Sequence, residues 1–505
     1  MDVLSNLAMG FGVALSPVNL LFCFIGVLFG TVIGALPGIG PSAGVAILLP
    51  LTFGQNPVTA IIMLAGIYYG AMYGGTITSV LINVPGEASS VMTTIDGYQM
   101  ARKGRAGVAL GIAAFGSFIA GTISQVIFMF LAPSLASYAL SFGPPEYVAL
   151  MLLGFTALAG LTEGSPIKTL VSTLIGLFLS IVGIDIVSGS ARFTLGTRQL
   201  LGGFDFLPIA MGLFGITEVL CNVEKIRPLE IQRADLALRN VFPKVKDWVD
   251  TRWPILRSTF LGFVVGVLPG AGATIASFMA YASEKKLSKH PETFGTGEIV
   301  GVAAPESANN AASVGAMVPL LTLGVPGSAT TAVMMGALMM LGLRPGPLLF
   351  EKNPQFVWGL IASMYIGNII LVLLNVLFIP TFVQILRIPQ WILSSLIVVF
   401  CVVGVYSLGN NLNDVWIMLI FGIIGFIMRK LGYPHAPLVL ALVLGAQLEM
   451  TLRQSLMLSH GSMAIFFTRP ISRALMVVAI LMLLAPAIRG LLGRVRQAAS
   501  VVREV

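Results

Sequence analysis

Charge is what this sequence has least of. Only 10% of its 505 residues are Asp, Glu, Lys or Arg, where a soluble chain carries about a quarter. Cysteine is nearly absent too. Cys23, Cys221 and Cys401 lie far apart and form no CxxC pair, which argues against a disulfide framework or a thiolate metal site. The three histidines, His290, His435 and His460, lack HExxH spacing. Neither a Walker A loop nor a G-x-S-x-G elbow occurs, so no enzyme signature stands and ATP is not the expected energy source. The first residues, MDVLSNLAMGFG, carry no basic group ahead of their apolar stretch. A cleaved signal peptide is therefore not expected, and the first span is read as an uncleaved insertion signal.

What fills the chain is apolar sequence: 56% hydrophobic residues and a mean hydropathy of +0.94. It comes in long blocks. The stretches 18–36 and 108–138 hold no charge at all. About 20 apolar residues cross a bilayer as a helix, and backbone groups in lipid must be satisfied within the segment. Runs this long and continuous do not fit the alternating strands of an outer-membrane barrel. The expectation is an all-α polytopic membrane protein with roughly 10 to 14 membrane segments. The net charge of +8 does not call for nucleic acid. Lys and Arg concentrate in short polar stretches (Arg102, Lys103 and Arg105; residues 225–257; Arg429 and Lys430; residues 489–503), as cytoplasmic loops do.

The chain repeats one plan. GTVIGALPGIGPSAG (30–44) and GFVVGVLPGAGATIA (262–276) share G-x-x-x-G-x-L-P-G-x-G, with Pro37 and Pro269 232 residues apart. VPGEASS (84–90) matches VPGSATT (325–331) at an offset of 241, and FLAP (130–133) resembles LFIP (377–380) at 247. Three ordered matches with slowly drifting offset indicate a duplication. The organisation read from this is a first transmembrane repeat (1–221), a polar cytoplasmic linker (222–253), a second repeat (254–488) and a basic tail (489–505). Basic loops do not recur at equivalent places: the Arg102–Arg105 loop corresponds to the weakly basic 342–346, and Arg429-Lys430 to an uncharged stretch near 182–184. Opposite orientations, that is inverted repeats, are expected.

Proline and glycine cannot continue a helix interior without cost, so the LPGxG and VPG motifs read as broken or re-entrant helices. Such backbone survives at membrane depth only where protein or water covers it. A new helix start offers N–H groups and a positive dipole end to an anion, and paired broken helices house substrate in repeat-built transporters. Gly86, Ser89 and Ser90, with Gly327, Thr330 and Thr331, place small residues and hydroxyls at two such starts. Packing turns with no ligand are the bland alternative. The segment APESANNA (304–311) puts Glu306, Asn309 and Asn310 just before the apolar run 311–325; as a loop it would merely cap the next helix. Glu87 and Asp96 read as loop or capping residues as readily as functional ones. Glu163, Glu218 and Glu449 are either coupling acids or loop ends.

These motifs resemble the large membrane subunit of the tripartite tricarboxylate transporter family, the TctA type. The resemblance is carried by GALPGIGP (34–41), YGAMYGGT (69–76), NVPGE (83–87), TIDGY (94–98), GVLPGAGAT (266–274), PESANN (305–310) and LGVPG (323–327), and it spans about residues 10–490. It implies a secondary transporter in the bacterial inner membrane, importing small carboxylates such as citrate and driven by a cation gradient, Na⁺ or H⁺, with no tightly bound cofactor. Its partners would be a small membrane subunit of about four spans and a periplasmic substrate-binding protein; self-association into a homo-oligomer is left open. Substrate contacts would fall on the glycine-rich breaks and their neighbours (Gly38, Gly40, Ser42, Asn83, Gly270, Gly272, Thr274, Ser328) and on Asn309 and Asn310, besides the six VPG-segment residues above. Glu306, Asn309 and Thr76 are the Na⁺ candidates. The core motifs contain no Lys or Arg, so co-bound cations would offset the cost of burying an anion. An anion channel or exporter on the same scaffold is the alternative, and an intramembrane enzyme using Glu306 is a third. Cysteines introduced at positions 104 and 344 should be labelled from opposite membrane faces; labelling of both from one face rules out the inverted arrangement.

Overall fold

The computed structural model describes residues 3–36, 39–161, 165–185, 188–224, 238–268, 272–385 and 389–483. Helices α1 (Val3–Ala14), α2 (Pro17–Ala35), α3 (Pro41–Leu48), α4 (Pro57–Ile82), α5 (Val91–Arg102), α6 (Ala106–Ala139), α7 (Pro144–Leu161) and α8 (Pro166–Ser180) lead to a small antiparallel hairpin, β1 (Gly183–Ile184) with β2 (Ala191–Arg192). Helix α9 (Phe206–Ala210) continues through a π-helical turn into α10 (Thr217–Glu224). There follow α11 (Leu238–Val241), α12 (Val245–Val267), α13 (Gly272–Leu287), α14 (Val300–Gly315), α15 (Met317–Leu323), α16 (Ala329–Met340), α17 (Pro347–Lys352) and α18 (Pro354–Leu377). The last elements are α19 (Ile379–Ile385), α20 (Gln390–Gly409), α21 (Leu412–Lys430), α22 (His435–Leu458), α23 (Ile465–Thr468) and α24 (Pro470–Leu483). Proline sets several of the starts. Pro17, Pro41, Pro57, Pro166 and Pro354 occupy the first turn, where the missing N–H is no loss and the fixed φ is already helical.

Seven of the described helices are long and apolar enough to cross a membrane: α2, α4, α6, the continuous α9–α10 rod, α18, α21 and α22. Six shorter apolar helices, among them Pro41–Thr52 and Ala329–Met340, hold the apolar sequence that proline and glycine have cut into 10–17-residue pieces. The chain is thus the all-α multi-pass membrane protein that its hydropathy implies. Helix α21 has the two faces suited to a lipid-facing helix: Leu412, Trp416, Ile420, Ile423 and Ile427 form an exposed apolar stripe while Met418, Phe421, Gly422 and Gly425 are buried. Helix α4 is the opposite case: residues Thr59–Ile82 are buried without interruption, so it is encased by protein.

The chain divides into two compact units, 1–140 with 205–430 and 141–204 with 431–505, and each unit takes segments from both halves of the sequence. Within the first, α2 packs along α4 and α12 along α14 with their backbones touching. A Cβ added at Gly34 would lie 2.2 Å from the Ala71 carbonyl oxygen, and one at Gly74 2.1 Å from that of Thr31. The second pair repeats this. A Cβ at Gly266 would lie 2.3 Å from the Ala312 oxygen and one at Gly315 2.5 Å from the Phe263 oxygen. The partners correspond at the two sequence offsets already noted, 232 on the first helix and 241 on the second. Small residues permit such contact, and packing rather than water-driven burial holds helices together in lipid.

All four proline–glycine motifs interrupt helices, as expected. The LPGxG segments lie between α2 and α3 and between α12 and α13; the VPG segments follow α4 and α15. Equivalent residues, Asn83 (φ 56°) and Gly324 (φ 69°), end α4 and α15 in the left-handed region, which Asn and Gly tolerate best. Next along, Gly86 comes so near the Gly34 carbonyl that a Cβ would sit 2.0 Å from its oxygen, and at Gly327 the same construction lies 3.0 Å from the Gly266 oxygen. In each half the VPG turn is thereby seated on the end of the helix that precedes LPGxG. Gly34→Val should cost about 2 kcal/mol or more through forced separation of α2 from α4, read as a lowered Tm of the purified protein in detergent; an unchanged Tm refutes the close contact.

Candidate functional site

Each half supplies two helix starts, and the two halves exchange them. Helix α3, from the first LPGxG break, packs on α16, from the second VPG break; α13 packs on the Ala88–Ser90 turn and on α5. Gly40 caps α3 in open surroundings, where a Cβ would meet nothing within 4 Å. Ser42 and Thr274, in the first turns of α3 and α13, are half-buried. Gly272 opens α13 at φ +61°, and a Cβ there would come 4.0 Å from that of Ser328. Gly38 and Gly270 lie outside the described residues.

The VPG hydroxyls are largely engaged in holding the helix starts. Ser328 N donates to Thr331 Oγ1 at 2.8 Å and Thr331 N to Ser328 Oγ at 3.2 Å, a reciprocal cap. At the equivalent place Glu87 N donates to Ser90 Oγ at 3.4 Å, and the Ser89 hydroxyl donates to the Glu87 carboxylate. Gly86, Gly327 and Thr330 are buried, and Asn83 is exposed. The Tyr68 hydroxyl, in the middle of α4, is 3.3 Å from Ser328 Oγ, so the buried α4 of the first half touches the second half's cap.

The centre of the polar network is Glu306. Its segment is not a loop: it lies inside α14, with Pro305 tolerated within the helix. Tertiary hydrogen bonds override the weak local preference of Asn and Pro. Glu306 is 0% exposed. Thr93 Oγ1 donates to its Oε1 at 2.5 Å and Asn309 Nδ2 to its Oε2 at 3.2 Å, and the Thr76 hydroxyl bonds to the same carboxylate. The three Na⁺ candidates, Glu306, Asn309 and Thr76, are therefore brought together. Asn310 Nδ2 donates to Asn309 Oδ1 at 2.6 Å, to Ser117 Oγ at 2.7 Å and to the Glu306 carbonyl at 3.1 Å. Glu87, 7% exposed, is another buried acid, and its carboxylate accepts from the Ser89 hydroxyl. Among the described residues neither carboxylate has a basic partner.

The acids read as ambiguous from sequence now separate. Asp96, also fully buried, is a clamp: its Oδ1 accepts the backbone N–H groups of Gly295, Gly297 and Glu298, each at 2.8 Å, and its Oδ2 accepts from the Tyr281 hydroxyl at 2.8 Å. It ties α5 to the segment leading into α14, and so helps place Glu306. Glu218 pairs with Arg429, and Glu449 with Arg192 and Arg453 at 2.7 and 2.6 Å. Glu163 lies outside the described residues. Thr93, Ser117 and Tyr68 were not singled out from the sequence. Thr93 directly precedes the TIDGY motif, but a serine or tyrosine within an apolar helix carries no local signal of its partner.

The profile of the tripartite tricarboxylate transporter TctA family matches residues 20–440. The chain belongs to that family. It is similar, at 48% identity over 97% of its length and 98% of the relative's, to an uncharacterized 52.8 kDa protein in the TAR-I ttuC' 3' region of Agrobacterium vitis. An uncharacterized protein in the TAR-II ttuC' 3' region of the same organism is 45% identical over 45% of this chain and 96% of its own. An uncharacterized protein of Methanocaldococcus jannaschii is 26% identical over 38% of this chain and 47% of its own. No solved structure gives a significant match. The polar core of this TctA-family chain thus sits in a transporter subunit, with the fully buried Glu306 at its centre. Glu306→Gln should lower substrate uptake about 100-fold with folding retained, since hydrogen bonds to a buried charged group are together worth roughly 3 kcal/mol; uptake within twofold of wild type would remove Glu306 from the site.

Proposed function

We propose that this chain is the permease subunit of a binding-protein-dependent secondary transporter that imports small tri- or dicarboxylates, citrate among them, using an inward cation gradient, with Na⁺ as the coupling ion. The observation that carries the reading is the pair of buried carboxylates, Glu87 and Glu306, with hydroxyl and amide donors around them and no basic partner among the described residues. Ionised carboxylates buried without a counter-charge are costly, and a co-transported cation supplies that charge. The four helix starts at the LPGxG and VPG breaks add backbone N–H groups suited to an anionic substrate. On this reading the two halves are inverted repeats, and access alternates between membrane faces around the exchanged helix starts.

Family membership supports the remaining parts of this reading: a small membrane subunit of about four spans, a periplasmic binding protein that delivers substrate, and a location in the bacterial inner membrane. Uptake of labelled citrate and smaller carboxylates into proteoliposomes holding all three components tests this. Accumulation above equilibrium that requires an inward Na⁺ gradient is expected. Equilibration without a gradient supports a channel instead, and no flux with the partners bound removes the substrate assignment.

A further inference from the structure

On the face of α4 toward α6 lies a cavity of about 10 Å³, room for about one water molecule or one small ion. Apolar side chains such as Leu110 and Ile379 form part of its wall, and its polar lining is Tyr73, Thr76, Ser117 and Asn375. Of these, Thr76 is a Na⁺ candidate by sequence and Tyr73 shares its YGAMYGGT motif. Each has directed a donor elsewhere. The Tyr73 hydroxyl donates to Asn368 Oδ1 at 2.8 Å, Ser117 Oγ to the Glu306 carbonyl at 3.2 Å, and Asn375 Nδ2 to the Leu371 carbonyl at 3.0 Å. The Thr76 hydroxyl is turned to the Glu306 carboxylate. Ser117 Oγ also accepts from Asn310 Nδ2 at 2.7 Å; apart from the second Asn375 amide proton, what the lining offers the cavity is oxygen lone pairs. A water molecule donating to two of these oxygens leaves its own lone pairs largely unmatched, whereas a hard monovalent cation is satisfied by oxygen ligands alone. The formal negative charge stands one hydrogen bond away, on Glu306 across Thr76.

We propose that this cavity is a binding site for one desolvated Na⁺ ion, ligated by the hydroxyl oxygens of Tyr73, Thr76 and Ser117 and the amide oxygen of Asn375, with Glu306 supplying the compensating charge. The inference rests on the reading of cation-driven uptake and narrows it: a cage of neutral oxygens selects a metal cation over a proton. It also joins α4, α6 and α18 around the ion, so that Na⁺ occupancy bears on the same α4–α14 contact that Thr76 and Glu306 make.

The test is binding of radiolabelled Na⁺ to the purified chain in a K⁺ background, alongside the Na⁺ dependence of uptake by the reconstituted complex. Asn375→Leu removes an oxygen ligand and should weaken Na⁺ binding about tenfold or more; Asn375→Asp adds charge at the same place and should tighten it. A purely structural role for Asn375 does not give shifts of opposite sign. Ser117→Ala provides the same test with a smaller change should Asn375→Leu fail to fold. Unaltered Na⁺ affinity in all three variants, with Na⁺-driven uptake intact in the wild type, overturns the site while leaving the transport reading in place. Wild-type uptake that is indifferent to Na⁺, with no Na⁺ bound, overturns both.

Discussion

Backbone contact at glycine governs this structure. Where α2 meets α4, and again where α12 meets α14, glycines bring carbonyl oxygens of one helix within a side chain's thickness of the next. In lipid there is no water-driven force between apolar helices, so stability rests on packing of this kind. Each pair is left at a proline–glycine motif, and α4 and α15 end in the left-handed residues Asn83 and Gly324 just before VPG. Gly86 and Gly327 then seat each VPG segment against the helix end before LPGxG. The helix starts are aimed by that sequence of contacts, not by their own composition.

The polar core depends on both halves at once. Glu306 comes from α14 of the second half, while Thr76 and Thr93, which bond to its carboxylate, come from α4 and α5 of the first. Asp96 reaches the other way, clamping backbone N–H groups of the second half. Duplication has thus been followed by divergence: the VPG position occupied by Glu87 in one copy is Ser328 in the other. A two-fold plan of helices carries an asymmetric set of polar side chains. Such a set can give an ion and an anion different places.

The second compact unit shows what acids look like when their role is bracing. Arg192 makes bonds of 2.7 and 3.2 Å to Glu449, and Arg453 makes bonds of 3.2 and 2.9 Å to Asp185 and one of 2.6 Å to Glu449. Bidentate guanidinium–carboxylate pairs satisfy charge and geometry together, and here they fasten the β1–β2 hairpin to α22. Glu306 and Glu87 lack any such partner among the described residues. That contrast separates these two acids from the paired ones; Asp96, also without a basic partner, is held instead by three backbone N–H groups and the Tyr281 hydroxyl.

Much of this was legible in residue order. Hydropathy specified membrane helices, the matched LPGxG and VPG motifs specified a duplication with a break at each, and the clustered motifs specified the family; all depend on properties of neighbouring residues, since helix length, proline geometry and glycine freedom act locally. The tertiary structure alone decided that PESANN is helical, that Glu449 is paired with Arg192, and that Thr93 and Ser117 belong to the Glu306 network. It also decided that each compact unit draws on both halves. Those outcomes turn on which atoms meet across 180 or more residues of chain, as Ser117 and Thr93 meet the Glu306 segment. A hydroxyl in an apolar helix has the same local preferences whether it faces a carboxylate or its own backbone; only the packing of distant helices distinguishes the two.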